Sequence, residues 1–305
     1  RGYLSRISGS LKQKQPKTCV WISAVGKKEF CKSLQRLRTR YPLKWLLGFA
    51  QLARSTFFAK LQIKPDKDEL LKKTIKRIKA NHLDYGYRRV HACLPGVNHK
   101  KVQRLMQTLG LQVRSRKSKK FTTYRGTIGV IAPNHLERDF SATAPNQKWV
   151  TDITEFKAKD GSKDYLSPIL DLFNNEIVSY NLSYFPNWAQ VEDMLIQAIK
   201  GLNKACDVIL HSDQGWQYQM VAYRRILAEH GIIQSMSRKG NCLDNAAMES
   251  FFGRLKTECF YGREFNSREE IVNAVRDYLD YYNHRRIQLK LKGLSPVQYR
   301  KQSFK

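Results

Sequence analysis

Three acidic residues carry the chemistry this chain is best equipped to do. Asp152 lies in Trp149-Val-Thr-Asp-Ile-Thr, Asp213 in His211-Ser-Asp-Gln-Gly, and Glu249 in Asn245-Ala-Ala-Met-Glu-Ser-Phe-Phe-Gly-Arg-Leu-Lys256, with thirty-five residues between the last two. Any one of these acids alone is explained by a solvated surface position. Their neighbours argue otherwise. Asp152 sits among Ile153 and Phe156, Asp213 follows Val208-Ile209-Leu210, and Glu249 precedes Phe251-Phe252. Three converging carboxylates suit magnesium, which prefers oxygen ligands and keeps waters and substrate phosphate oxygens for its remaining positions; manganese substitutes. Two such ions activate a water or a 3′-hydroxyl and stabilise the leaving oxygen of an in-line displacement. Two carboxylates about 4 Å apart repel by roughly 1 to 4 kcal/mol, which a divalent cation relieves.

Other residues near the acids are ranked lower. Asp171 ends a strand before a turn, and Asp244 is placed to cap a helix, so both rank below the triad as ligands. His211 either supports Asp213 or is merely structural. Ser212 has no legible His-Asp partner, which argues against a serine hydrolase. Lys256 stands two turns beyond Glu249 on the same helix face, and Gly253 between them leaves room for an approaching strand. Lys256 and Arg254 are therefore candidate DNA contacts.

The elements that would position these acids are readable from residue 145 onward. Residues 147–157, 165–173 and 176–182 are β-rich and separated by Asp160-Gly161 and Asn174-Asn175, so three antiparallel strands are expected. A helix over 188–202, a strand over 208–211, a helix over 221–229, a strand over 232–235 and helices over 245–261 and 267–283 follow. This order resembles a ribonuclease-H-like α/β core, a mixed five-stranded sheet with flanking helices. In that architecture Asp152 falls mid-way along the first strand, Asp213 lies just beyond the fourth, and Glu249 arrives on a helix packed across them.

The front of the chain is of another kind. Residues 1–130 hold 32 Lys+Arg against 5 Asp+Glu, whereas residues 131–305 hold 23 against 21, so nearly all of the +29 net charge is in front. Such a one-sided charge suits a polyanion, bound with an affinity that falls steeply as salt rises; it exceeds what solubility alone asks. Residues 1–27 carry no periodicity and are expected to be flexible. Residues 28–62 contain a helix-turn-helix pattern, Leu43 to Leu61 with a turn at Gln51-Leu52-Ala53, and residues 63–125 a second helical pair followed by the basic run 114–125, either a solvated linker or a strap along phosphates. Arg54, Ser55, Arg88, Arg89, Lys100, Lys101 and Arg104 are the candidate DNA contacts there. Asn98 is expected to cap the helix that follows it.

Six scattered cysteines without a C-x-x-C pair point to reduced thiols and a cytoplasmic protein. His82, His91, Cys93 and His99 match no common zinc spacing. No apolar run is long enough for a membrane span and no signal peptide opens the chain. Arg1 is not an initiator methionine, so a fragment, a processed product or the rear of a longer translation product is expected.

At these residues the chain resembles the catalytic, OrfB-type transposases of the insertion sequence three family. The resemblance rests on Ala53-Arg-Ser-Thr-Phe-Phe, Tyr85-Gly-Tyr-Arg-Arg-Val, Val97-Asn-His-Lys-Lys-Val, Asn146-Gln-Lys-Trp-Val-Thr-Asp-Ile-Thr, His211-Ser-Asp-Gln-Gly and Gly240-Asn-Cys-Leu-Asp-Asn-Ala-Ala-Met-Glu-Ser-Phe-Phe, and spans about residues 30–300. It implies a DDE recombinase related to retroviral integrases that nicks at terminal inverted repeats and joins the freed 3′-hydroxyl to target DNA. Asp152, Asp213 and Glu249 fall on the family's metal ligands, and Lys256 on its basic residue seven positions later. Tyr282-Asn-His-Arg-Arg-Ile-Gln-Leu and Leu294-Ser-Pro-Val-Gln-Tyr match its tail, although Ile287-Gln288 stands where many integrase relatives have Pro-His. The zinc-binding module of retroviral integrases is missing, and the family's upstream helix-turn-helix and leucine zipper does not precede Arg1. A homo-oligomer on double-stranded DNA and an upstream-frame, OrfA-type partner are therefore implied. Two competing readings are a DNA-binding regulator with a dead core, against which the intact triad argues, and a nuclease that hydrolyses without joining.

Overall fold

A computed structural model describes residues 27–61, 66–113, 129–202 and 207–303. The basic run 114–125, and the N-terminal segment up to residue 26, lie outside the described residues. The chain divides into two compact units between residues 71 and 72.

The first unit holds α1 (Lys27–Leu37), α2 (Leu43–Ala50) and α3 (Arg54–Leu61). Pro42 opens α2, its ring-fixed φ of −58° suiting the position just before the first turn. Gln51, left-handed at φ 50°, ends it and produces the expected three-residue turn into α3. Phe30, Cys31, Leu34, Leu46, Leu47 and Phe57 form its apolar centre.

The second unit begins within α4 (Glu69–Asn81) and continues through α5 (Tyr87–Ala92) and α6 (His99–Thr108). Asn98 caps α6 by accepting from the Lys100 amide at 2.8 Å, as its position predicts. Ile75, Val90, Val102, Leu105 and Met106 are buried. Lys79 is buried too, its ammonium donating to the Leu83 and Tyr85 carbonyls. His82 stacks on Tyr85 with ring centroids 4.3 Å apart, and His91 meets His99 edge-on.

Strands β1 (Lys148–Thr151), β2 (Thr154–Lys157), β3 (Lys163–Asp171), β4 (Ile177–Ser183), β5 (Ile209–Ser212) and β6 (Ile233–Met236) form one mixed sheet in the order β2-β3-β1-β5-β6, with β4 on the other edge of β3. β1 and β2 share one register against β3: Thr151 opposes Ile169 and Thr154 opposes Leu166. They are two halves of a single strand, so the six strands fill the five positions expected. The break falls at Asp152-Ile153, where a continuous strand was anticipated. The same register sets Pro168 opposite Asp152, and proline has no N–H to continue the ladder. Thr151 Oγ1 instead donates to the Pro168 carbonyl at 2.9 Å.

Alternation along the strands sorts side chains between two cores. Trp149, Ile169 and Leu210 point to the face covered by α7 (Trp188–Lys200) and α8 (Val221–Glu229). Val150, Leu166 and Leu170 point to the other, against α9 (Ala246–Leu255) and α10 (Arg268–His284). The acids follow the same parity: Asp152 is two residues past Val150, and Asp213 two past His211, which pairs with Val150. Both therefore emerge on the side that α9 covers. Asp244 departs from expectation. Instead of capping α9, its fully buried carboxylate takes two bonds from the Arg238 side chain, one from the Arg238 amide, one from Arg138 and one from Asn134. Five-fold binding of one carboxylate outweighs a single capping bond, and it ties residues 134–138 to the loop that leads into α9.

The C-terminal segment folds onto this core. Asn283 both accepts from and donates to the backbone of Ile177, each at 2.9 Å. Asn174 donates to the Pro296 carbonyl at 3.0 Å, and Arg300 in α11 (Pro296–Ser303) pairs with Glu176 at 2.8 Å. No described helix is long and apolar enough to cross a membrane.

Candidate active site

Asp152 occupies the gap between β1 and β2, half-buried, its Oδ1 accepting from the Ile153 amide at 2.7 Å. Asp213 follows β5, also half-buried, and its Oδ1 accepts from the Gly215 amide at 2.8 Å. Burial raises the Asp152 carboxyl well above the usual carboxylate range; the negative charges of Asp213 and Glu249 push it further, while Lys256 pulls it down. Burial also raises Asp213. A pair of acids whose charges are felt by one another resists being charged together.

The third acid comes from α9, whose Met248, Phe251, Phe252 and Leu255 are buried against the sheet. Among the described residues no group of three His, Cys, Asp or Glu side chains is placed to hold a metal ion; the charge of Glu249 is felt at Asp152, but the three acids are not gathered into one ligand set. Lys256 lies on the same side, its ammonium 5.4 Å from the centre of the Phe156 ring on β2. After Leu255 the helix widens into a π-helical turn, Lys256–Phe260, held in part by Thr257 Oγ1 donating to the Gly253 carbonyl at 2.6 Å. Arg254, two residues earlier, is rotated by about 200° from Lys256 at helical pitch and lines a different surface, a groove that also includes Arg286 and Lys290.

The nearby residues ranked below the triad have structural roles. Asp171 is buried and accepts from the Asn146 and Phe173 amides, burial lifting it to about 6. His211 spans β5 and β6 between the Ser235 and Ser237 hydroxyls, and burial lowers it to about 4, so it is neutral at pH 7. Ser212 donates to the Asp213 carbonyl at 2.9 Å.

Two other features were not anticipated from the residue pattern. Tyr218 lies in a short 3-10 turn (Trp216–Gln219), and its buried hydroxyl senses both aspartates. Gly215 packs so closely that a Cβ there would stand 2.9 Å from Asp213 Oδ1; the Asp-Gln-Gly triplet is the only local signal for it.

The DNA-contact candidates separate. Arg54 and Ser55 are exposed at the start of α3 in the first unit. In the second, Arg88 is exposed beside Tyr87, and Lys100, Lys101 and Arg104 lie exposed on α6. Arg89 on α5 is instead bound within the protein, to Asp84 at 3.3 Å and to Glu258 at 3.0 Å. Glu258 is also held by Arg286 at 2.6 and 2.7 Å and by the Tyr278 hydroxyl at 2.9 Å.

A mixed sheet with two aspartates at adjacent strand ends, crossed by an acid-bearing helix, defines a polynucleotidyl transferase of the DDE transposase and integrase type. The family model described as integrase core domain matches residues 142–242, a second model of that description matches residues 249–304, and an HTH-like domain matches residues 65–119. The chain is 56% identical over 280 residues to the putative transposase InsK for insertion sequence element IS150 of Escherichia coli (strain K12), covering 90% of this chain and 98% of that protein. It is 61% identical over 208 residues to an uncharacterized transposase-like protein of Haemophilus influenzae, covering 68% and 95%. The HTLV-2 integrase catalytic core domain in complex with magnesium is 18% identical, with 52% of this chain and 99% of that one covered and a TM-score of 0.41. The chain belongs to the insertion-sequence transposases of the insertion sequence three family, and its function is DNA transposition.

Proposed function

We propose that Asp152, Asp213 and Glu249 are the catalytic carboxylates and hold divalent cations, magnesium with manganese as its substitute, for nicking at the element ends and for strand transfer. The observation that carries this is the half-buried aspartate pair, with Asp152 feeling the charge of both Asp213 and Glu249 on the face that α9 covers. The donor set is all oxygen, as a hard cation requires, and the burial that disfavours two free negative charges favours their neutralisation. Bound there, the cations supply an activated water or 3′-hydroxyl and stabilise the leaving oxygen. The Ile153 and Gly215 amides orient the two aspartates. Glu249 completes the ligand set when α9 settles against bound DNA, and Lys256 holds a phosphate beside them. Cations on α3, α5 and α6, namely Arg54, Arg88, Lys100, Lys101 and Arg104, together with Ser55, grip the terminal inverted repeats. Arg89 serves them indirectly, by fixing α5 to Glu258. Assembly as a homo-oligomer on DNA, with or without an upstream-frame partner, completes the proposal.

The experiment is a cleavage and joining assay with duplexes carrying the element ends. Wild type gives nicked and joined products that require magnesium or manganese. Asp213→Asn loses both by at least about 100-fold, and nicking without any joined product would favour the nuclease reading.

A further inference from the structure

A groove of about 470 Å³ runs beside α9, between α5, α9 and the segment after α10, and none of the three acids lines it. Four cations line it, Arg89, Arg254, Arg286 and Lys290, and no carboxylate does. Glu258 and Asp84 already pair with Arg286 and Arg89, so Arg254 and Lys290 supply the groove's uncompensated charge. Ala246, Ala247 and Ser250 form the helix wall and leave it low enough for a backbone to approach.

The floor holds a polar group with nothing to bond. Arg254 Nε is a buried donor without a hydrogen-bond partner; Gln288, only 7% exposed, turns its side chain to the Tyr282 hydroxyl. A buried donor left unsatisfied is costly, and this one lines a groove whose walls carry no carboxylate. An anion with more than one oxygen satisfies it and pairs with Lys290 as well. The tail motif acquires a purpose by the same geometry, because Gln288 belongs to it and Lys290 follows its first segment directly.

We propose that this groove binds the phosphodiester backbone of one DNA strand, separately from the phosphate at the acids. The inference rests on the DNA-processing function proposed above and adds a second point of grip on the catalytic helix. Glu249 and Lys256 then face the reacting phosphate while Arg254 anchors a strand in the groove beside α9.

The test uses the full chain and an end-bearing duplex, with affinity measured against salt. In the double variant Arg254→Gln, Lys290→Gln the slope of log K against log salt falls by about 1.8, near 0.9 for each phosphate that is no longer neutralised. The charge-preserving pair Arg254→Lys, Lys290→Arg keeps the wild-type slope, and Ser250→Glu weakens binding at least about tenfold by setting a like charge in the groove. An unchanged slope in the double variant, with Ser250→Glu also binding normally, overturns the proposal while wild-type binding leaves the wider function standing. Absence of salt-dependent binding by wild type itself would overturn both. Inorganic pyrophosphate is the control for a small-anion site: if it raises the melting temperature of wild type but not of the double variant, while the DNA slope stays unchanged, the groove serves free phosphates and the DNA assignment fails.

Discussion

At the scale of single residues, the strand fails at Asp152. Pro168, opposite it in the register, supplies no amide, so the chain opens between β1 and β2 at a half-buried carboxylate. Nothing in the local sequence around Asp152 announces this, since the cause lies on another strand. Gly215 gives a sharp test of how finely Asp213 is held. Its φ of −57° imposes no demand for glycine, yet an added Cβ would sit 2.9 Å from Asp213 Oδ1 and 3.2 Å from Gln217 Oε1. Gly215→Ala should therefore keep its cooperative melting while strand cleavage drops by about 100-fold, the cost of a displaced reacting group; wild-type turnover would mean that the carboxylate tolerates movement. If Asp152 and Asp213 share a cation, magnesium or manganese raises the melting temperature of wild type more than that of Asp152→Asn. Equal shifts would count against a common site.

At the scale of elements, α9 is held from both ends. Asp244 fixes the loop before it through Arg138 and Arg238, and Glu258 fixes the turn after it through Arg286 and Arg89. Periodicity made α9 and α10 legible in the sequence, as capping residues did α6, but the Glu258 ion pairs join positions separated by 28 to 169 residues and leave no local trace. Arg89 illustrates this: beside exposed Arg88 it reads as a DNA contact, whereas its side chain is turned inward. Glu258→Gln leaves Arg286 buried without a charge partner and should cost about 3–5 kcal/mol at neutral pH, measured by urea unfolding. Its arginine partners hold the Glu258 carboxyl at about 2, below its ordinary 4.5, despite burial. A carboxylate depressed in this way stabilises the fold above the unfolded value and loses that contribution as pH falls through the folded one. The gap between wild type and variant should therefore be full at pH 7 and shrink as pH falls from 4.5 to about 2. A gap that does not narrow on acidification would show that packing, not charge, accounts for it.

At the scale of the whole molecule, the charge asymmetry and the order of strands and helices were enough to anticipate a basic helical front and a sheet-based catalytic part. The sheet's mixed pairing follows that expectation, as does the delivery of Asp152 and Asp213 to one face. What composition did not convey is how the tail is used. In the tail, which the sequence offered only as a family match, Asn283 clasps β4 and Arg286 is buried against Glu258. The front-half cations should act additively: Lys100→Gln with Arg104→Gln lowers the salt slope of DNA binding by about 1.8 and leaves cleavage at saturating DNA unchanged, a result checked by titration at several salt concentrations.

The claim on which all of this depends is that the three acids are the cutting and joining centre. It is tested most directly by strand transfer from end-bearing DNA in magnesium with Asp213→Asn, a variant that alters one oxygen of the site. Asp213→Asn should bind DNA with wild-type salt dependence and produce neither nicked nor joined strands. Full nicking by Asp213→Asn would contradict it.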